Sequence, residues 1–283
     1  SCAVFAYNPP PGGDALYSFT SPFMLSAERS SAGGPLYHVH PGHTGVNPAL
    51  PADEQRIVID AAYTALIASA QNKTYGQAFN IGGMIPSRYG VFTGVMQGVF
   101  VPFNDMLLKN GFTARVSYSK DITDWLYVGL GAYGAFGDDW AAGADIGILY
   151  LPEKIGALPF IRKPRFAVSL TGMGKNFKPA TIGLDGSANK ITSFPSVFTP
   201  HVGFAGTLFE IKYLSGGLSL DLSFPTFQNL VFDAGLQFLI ADTVRLSTGW
   251  QCNVREALTK KNSWYPSVSL SVKFGFTSTD ESI

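Results

Sequence analysis

Charge is scarce in this chain. Only 14% of its 283 residues are Asp, Glu, Lys or Arg, against roughly 25% in an ordinary soluble domain. The 20 basic and 20 acidic residues cancel, so the electrostatic footprint that nucleic-acid binding requires is missing. Cysteine is almost absent. With only Cys2 and Cys252, neither a disulfide framework nor a CxxC metal ribbon can organise the fold, and no bond between the two is expected. A spanning helix is missing too. The longest apolar run, Ile57 to Ala70, contains Asp60 and falls short of the ~20 residues a helix needs to cross a bilayer. No G-x-S-x-G, P-loop or H-E-x-x-H motif occurs. The chain therefore reads as a non-enzyme with no catalytic residue and no cofactor.

What is present is apolar and rich in glycine: 46% hydrophobic residues, 13% aromatics and 31 glycines. That excludes disorder. From residue 55 onward, period-two alternation dominates, the mark of strands with two unlike faces. Leu218, Leu220, Leu222 and Phe224 oppose Ser219, Asp221 and Ser223. Leu230, Phe232, Ala234, Leu236, Phe238 and Ile240 oppose Asn229, Asp233, Gly235 and Gln237. About twelve strands are predicted, near 56–69, 75–85, 89–101, 112–119, 125–136, 140–151, 165–173, 201–209, 216–224, 229–240, 244–254 and 267–276, with room for two more in 152–200.

Alternation occurs in soluble barrels as well, so the second face decides. A wetted face normally carries Lys, Glu and Thr. Here it carries Ser, Gly, Asn and Gln, which suits a crowded interior, while the long apolar face suits lipid. The prediction is an all-β fold: an antiparallel transmembrane β-barrel of 12–14 strands. Leu220, Leu222, Leu236 and Phe238 should face lipid, and Asp221, Asp233 and Gln237 the lumen. Trp125, Trp140, Trp250, Trp264 and Tyr265 lie mostly near strand ends, where amphipathic rings form girdles. Numbered from a periplasmic N-terminus, the connections 102–111, 174–200 and 255–266 fall on the outer side. The short ones, 86–88, 121–124 and 241–243, fall on the inner side. Only 152–164 is long for its side.

Residues 1–54 differ from the rest. Pro9, Pro10, Pro11, Gly33, Gly34, Pro35, Pro41, Gly42, Pro48 and Pro51 deny them long regular elements, yet Phe19, Phe23, Leu25 and Leu36 need burial. The organisation expected is a plug segment over 1–54, a barrel over 55–276 and a tail over 277–283. Val4-Phe5-Ala6, with no basic stretch before it, reads as a start near a mature N-terminus.

Three motifs bear on function. Gly129-Leu-Gly131-Ala-Tyr-Gly134 matches GxGxxG but sits inside an alternating strand with no helix after it, so a dinucleotide site is excluded. Its small residues would let a plug approach the wall. His38-Val-His40-Pro-Gly-His43 places three imidazoles in six residues. No metal is assigned, but His38, His40 and His43 are the candidates were one bound, with a remote fourth ligand such as His201. In 89–101 both faces are largely apolar. One face should meet lipid and the other line the lumen with Phe, Met or Val, either for a greasy ligand or against the packed N-terminal segment; Phe92, Met96 and Phe100 are the ligand-binding candidates.

Ser21-Pro22, Ala32-Gly33-Gly34-Pro35-Leu36 and Gly45-Val46-Asn47-Pro48-Ala49-Leu50 run straight into the first strand. This arrangement resembles the FadL-type long-chain fatty-acid transporter superfamily of outer-membrane barrels, including its PorV-like branch. The resemblance implies a hatch that plugs the barrel, with Asn47, Pro48 and Ala49 in it, and hydrophobic substrates that leave sideways through the wall. It implies the outer membrane of a diderm bacterium, fatty acids and outer-membrane lipids as partners, insertion by the barrel assembly machinery, and a monomer. A PorV-like structural or secretion partner without transport, or a general porin, are the alternatives.

Overall fold

The computed structural model describes residues 24, 27–67, 75–100, 110–137, 140–156, 160–175, 198–227, 229–258 and 267–272. Twelve strands form one antiparallel sheet in chain order. They are β1 (Val58–Ile67), β2 (Tyr75–Ser87), β3 (Gly90–Phe100), β4 (Asn110–Thr123), β5 (Leu126–Phe136), β6 (Trp140–Tyr150), β7 (Arg162–Lys175), β8 (Thr199–Ile211), β9 (Leu214–Ser223), β10 (Val231–Ile240), β11 (Val244–Asn253) and β12 (Ser267–Val272). Each of the twelve coincides with a strand read from the alternation. Of the stretch 152–200, which had room for two more, 176–197 lies outside the described residues, as do Cys2, Trp264, Tyr265 and the tail 277–283.

Register turns the alternation into two surfaces. Leu236 stands opposite Leu218 and Thr248, and its neighbour Gln237 opposite Gly217 and Ser247. Leu236 is 38% exposed, whereas Gln237 is wholly buried. The same split runs round the sheet. Ile59, Ile81, Val116, Leu130, Val168, Val202, Leu246 and Val268 are exposed, while Asn80, Ser117, Asp145, Ser169, Asp221 and Ser247 are buried. Apolar outside and polar inside is the inverse of a water-soluble barrel and matches a lipid-facing wall. Rings collect at both ends of that wall. Tyr89, Trp125, Tyr150 and Tyr213 are exposed at one end, and Phe100, Phe136, Trp140 and Phe227 at the other; Trp125 meets Tyr150 edge-on at 5.8 Å between centroids.

The ends also differ in their connections. At one, the strands join through 88–89, 124–125, 212–213 and 241–243, with 151–161 the exception. At the other, the joints are 68–74, 101–109, 137–139, 176–198, 224–230 and 254–266. Counted in residues, the connections are mostly short at the first end and mostly longer at the second, the asymmetry of outer-membrane barrels.

The sheet curls around residues 27–53, which carry three 3₁₀ turns, Ala27–Arg29, Pro41–Gly45 and Leu50–Asp53. These turns pack against strands from β1 to β11. Two strand glycines make the contact possible. A Cβ at Gly129 on β5 would overlap the Pro48 carbonyl, and one at Gly147 on β6 would overlap the Asn47 side chain. The GxGxxG glycine at 129 is thus a contact point for the plug. Toward the short-turn end the plug closes a small apolar core of Ala32, Ala49, Leu50 and Ala52 against Tyr127, Leu149, Ala167 and Ala205.

Candidate functional site

The plug is bonded to the wall on several sides. Ser31 gives its backbone N–H and its hydroxyl to Asp221 Oδ1 on β9, at 2.8 and 2.6 Å. Ser30 Oγ donates to the Leu220 carbonyl at 2.9 Å. On β7, Ser169 Oγ donates to the Val46 carbonyl at 2.6 Å. The Arg165 guanidinium reaches the carbonyls of Ala32, Gly34 and Pro35 and lies over the Tyr37 ring, 4.5 Å from its centroid. Burial first, tempered by Arg165, raises the Tyr37 phenol above its ordinary value. Arg29 pairs with Asp233 on β10 at 3.2 Å.

Asn47 organises the turn that the motif Asn47-Pro48-Ala49 forms. Its Oδ1 accepts the Ala49 N–H at 2.8 Å, an Asx turn. Its Nδ2 donates to the Ser31 carbonyl at 2.8 Å and to the Ile148 carbonyl on β6 at 3.4 Å. Asn47 and Ala49 are both wholly buried. Asn47 is therefore a structural knot inside the lumen, tying two parts of the plug to each other and to the wall.

Between the plug and the long-loop end lies a cavity of about 200 Å³. Met24, Val46, Tyr133 and Val231 supply its apolar surface; Arg29, Arg115 and Asp221 supply charge, and His201 adds an imidazole. Arg115 pairs with Asp145, whose other oxygen accepts the Gly172 N–H at 2.8 Å. Asp145 lies in the inward phase of β6, and the extra residue that β7 carries opposite it, between Leu170 and Met173, aims the Gly172 N–H at its carboxylate, a bulge that directs one group. His201 Nδ1 meets Asp221 Oδ2 at 3.0 Å and its Nε2 lies 3.4 Å from Thr171 Oγ1. The cavity thus offers ion-paired polar groups beside apolar walls, the surface an amphipathic molecule needs.

No protein-family model matches the chain, and no curated protein matches it. Among solved structures the NanC porin is similar, with a TM-score of 0.43 and 10% identity over 77% of this chain and 99% of that one.

The expected lining on β3 is corrected. Phe92, Met96 and Phe100 are 53%, 56% and 44% exposed on the outer face, while Val91, Thr93, Val95 and Val99 are buried on the inner one. The reason is space. The inner face of β3 packs against the Pro41–Gly45 and Leu50–Asp53 turns, which leaves no room for rings there, and the rings find lipid instead. His201 is likewise not a companion of the histidine cluster, since it is paired with Asp221.

What sits beside His38, His40 and His43 is Glu28. Its Oε2 lies 3.9 Å from His38 Nδ1, 3.6 Å from His40 Nε2 and 3.5 Å from His43 Nε2. Its Oε1 accepts from Gln237 Nε2 at 2.9 Å and meets Arg245 Nη1 at 3.4 Å. Burial pushes the Glu28 carboxyl upward, but the imidazoles of His38 and His43 outweigh it and hold the group well below 4.5. Burial, and then the neighbouring His43, keep His40 well below 6.5. An ionised carboxylate thus faces a neutral imidazole. Sequence reasoning missed Glu28, although it and Arg29 are the only charged residues between Asp14 and Asp53. It also passed over Arg115, Asp145, Arg165 and Arg245, which occupy the inward phase of their strands and could have been read as luminal from parity alone.

Proposed function

We propose that this chain is an outer-membrane β-barrel that takes up amphipathic or hydrophobic small molecules, long-chain fatty acids among them, through a plugged lumen. The observation that carries the reading is the cavity between plug and long-loop end, where Met24, Val46, Tyr133 and Val231 stand beside Arg29 and Arg115. Apolar contact there is worth ~25 cal/mol per Å² removed from water, and the ion-paired side chains beside it give a polar headgroup hydrogen-bonding partners. The volume, about 200 Å³, is below the ~300–1,000 Å³ of sites that enclose a drug-sized ligand. A long acyl chain would therefore seat only its polar end in this state. The bonds from this segment to β6, β7, β9 and β10 support a plugged lumen with sideways release through the wall over an open general porin.

The test is binding of a fluorescent long-chain fatty acid to the purified barrel in detergent, paired with planar-bilayer conductance. The reading expects saturable binding, weakened in Arg115→Gln and in a variant lacking residues 7–50, with conductance rising in the deletion. Absence of binding in both forms, with the same rise in conductance, supports a PorV-like partner barrel instead.

A further inference from the structure

We propose that Glu28, His40 and His43 form a binding site for one divalent transition-metal ion of the zinc class inside the plug, with His38 at its mouth. Glu28, His40 and His43 each bring one ligand atom into a group lying within 4.8 Å, and all three residues are buried. Glu28 Oε2 and His43 Nε2 are buried and have no hydrogen-bond partner. Two polar atoms left in this way cost stability unless something else occupies the space between them.

The spacing matches an ion. Tetrahedral zinc holds imidazole nitrogen and carboxylate oxygen at roughly 2.0–2.2 Å, so neighbouring ligand atoms stand roughly 3.3–3.5 Å apart. The distances from Glu28 Oε2 to His43 Nε2 and His40 Nε2 are 3.5 and 3.6 Å. These are too long for good hydrogen bonds and close to the edge of that tetrahedron. Two imidazoles and one carboxylate, with a fourth position open, suit zinc, and also iron, nickel or copper, better than the oxygen-seeking calcium or magnesium.

The side chains behind Glu28 behave as an outer shell. Gln237 and Arg245 hold Oε1, which leaves Oε2 presented to the rings. The Gly42 N–H donates to His40 Nδ1 at 3.1 Å, and the His40 N–H to His43 Nδ1 at 3.2 Å. Those contacts place the ring protons on Nε2. Metal binding at Nε2 moves each proton to Nδ1 and breaks both contacts, so loading must loosen the Pro41–Gly45 turn. No proton is released by the two rings in that exchange. The His38 side chain is 39% exposed and gives the ion a way in.

The proposal stands apart from the transport reading, because it is measured without any substrate. Untagged full-length protein in detergent micelles is stripped with a chelator and titrated with Zn²⁺ against a chromogenic competitor, then with Co²⁺ followed by absorption. The expected result is one Zn²⁺ per chain and cobalt bands of tetrahedral intensity. Glu28→Gln and His43→Asn should each weaken binding at least about tenfold, the loss that even an outer-shell partner causes, and His201→Asn should change nothing. Less than one equivalent of zinc in the parent protein, or unchanged affinity in both Glu28→Gln and His43→Asn, overturns it. If a variant does not reach the heat-modifiable folded form, the cobalt spectrum of the parent decides, and an octahedral aqua-ion spectrum refutes the site.

Discussion

Ser31 and Asp221 are 190 positions apart in sequence, yet one carboxylate oxygen of Asp221 accepts both the backbone N–H and the hydroxyl of Ser31. The other oxygen meets His201 Nδ1 at 3.0 Å. A single side chain on β9 therefore joins the plug to the wall and to the cavity.

Removing that carboxylate tests whether the plug is latched there. Asp221→Ala strands a buried N–H, at a cost of about 1–3 kcal/mol. Channel conductance in planar bilayers should rise above the parent level while circular dichroism keeps its strand signal. Conductance equal to the parent would mean that the other plug bonds suffice.

Two glycines on the wall should respond in opposite ways to one methyl group. At Gly129 a Cβ would overlap the backbone of Pro48, whereas at Gly94 it meets nothing within 4 Å. Gly129→Ala should displace the plug, seen as protease cleavage within residues 27–53. Gly94→Ala should leave cleavage unchanged and stabilise the strand by roughly 0.5–1 kcal/mol. Equal behaviour of the two variants would count against a plug seated on β5.

Neighbouring residues on β10 should discriminate lipid from lumen. Leu236→Arg puts a charge on the outer face near mid-wall and should cost ~2–4 kcal/mol in urea unfolding from vesicles. An arginine tolerated at 236 but not at 237 would reverse the assignment of the faces.

Acidity should act on the Leu50–Asp53 turn through Asp53. Burial, then the nearby Asp121, raises its carboxyl above 3.8. A carboxyl raised in the folded state contributes its stability below 3.8, and that contribution is lost as pH rises through the folded value. Asp53→Asn removes the loss. Its thermal midpoint should therefore exceed the parent's near neutral pH, and the gap should close in acid. A gap that widens in acid would contradict the sign.

The strands were legible in the sequence because their cause is local. Side chains alternate across a strand with period two, so Leu236 and Gln237 had to lie on opposite faces wherever the strand went. Where one face is clearly polar, as on β9 and β10, the same pattern says which face meets lipid. On β3 both faces are apolar, and alternation leaves two equal solutions. Only the plug packing against β3 sets the choice: Val91, Val95 and Val99 are buried, and Phe92, Met96 and Phe100 face outward. The lumen was legible in the same partial way. The prolines, glycines and apolar residues of 1–54 require a segment packed against something else, and the histidines are visible as a cluster. That Glu28 joins them, with Gln237 and Arg245 behind it 209 and 217 positions away, follows from no local pattern. It is decided by the curling of the sheet, which brings β10 and β11 around to the plug.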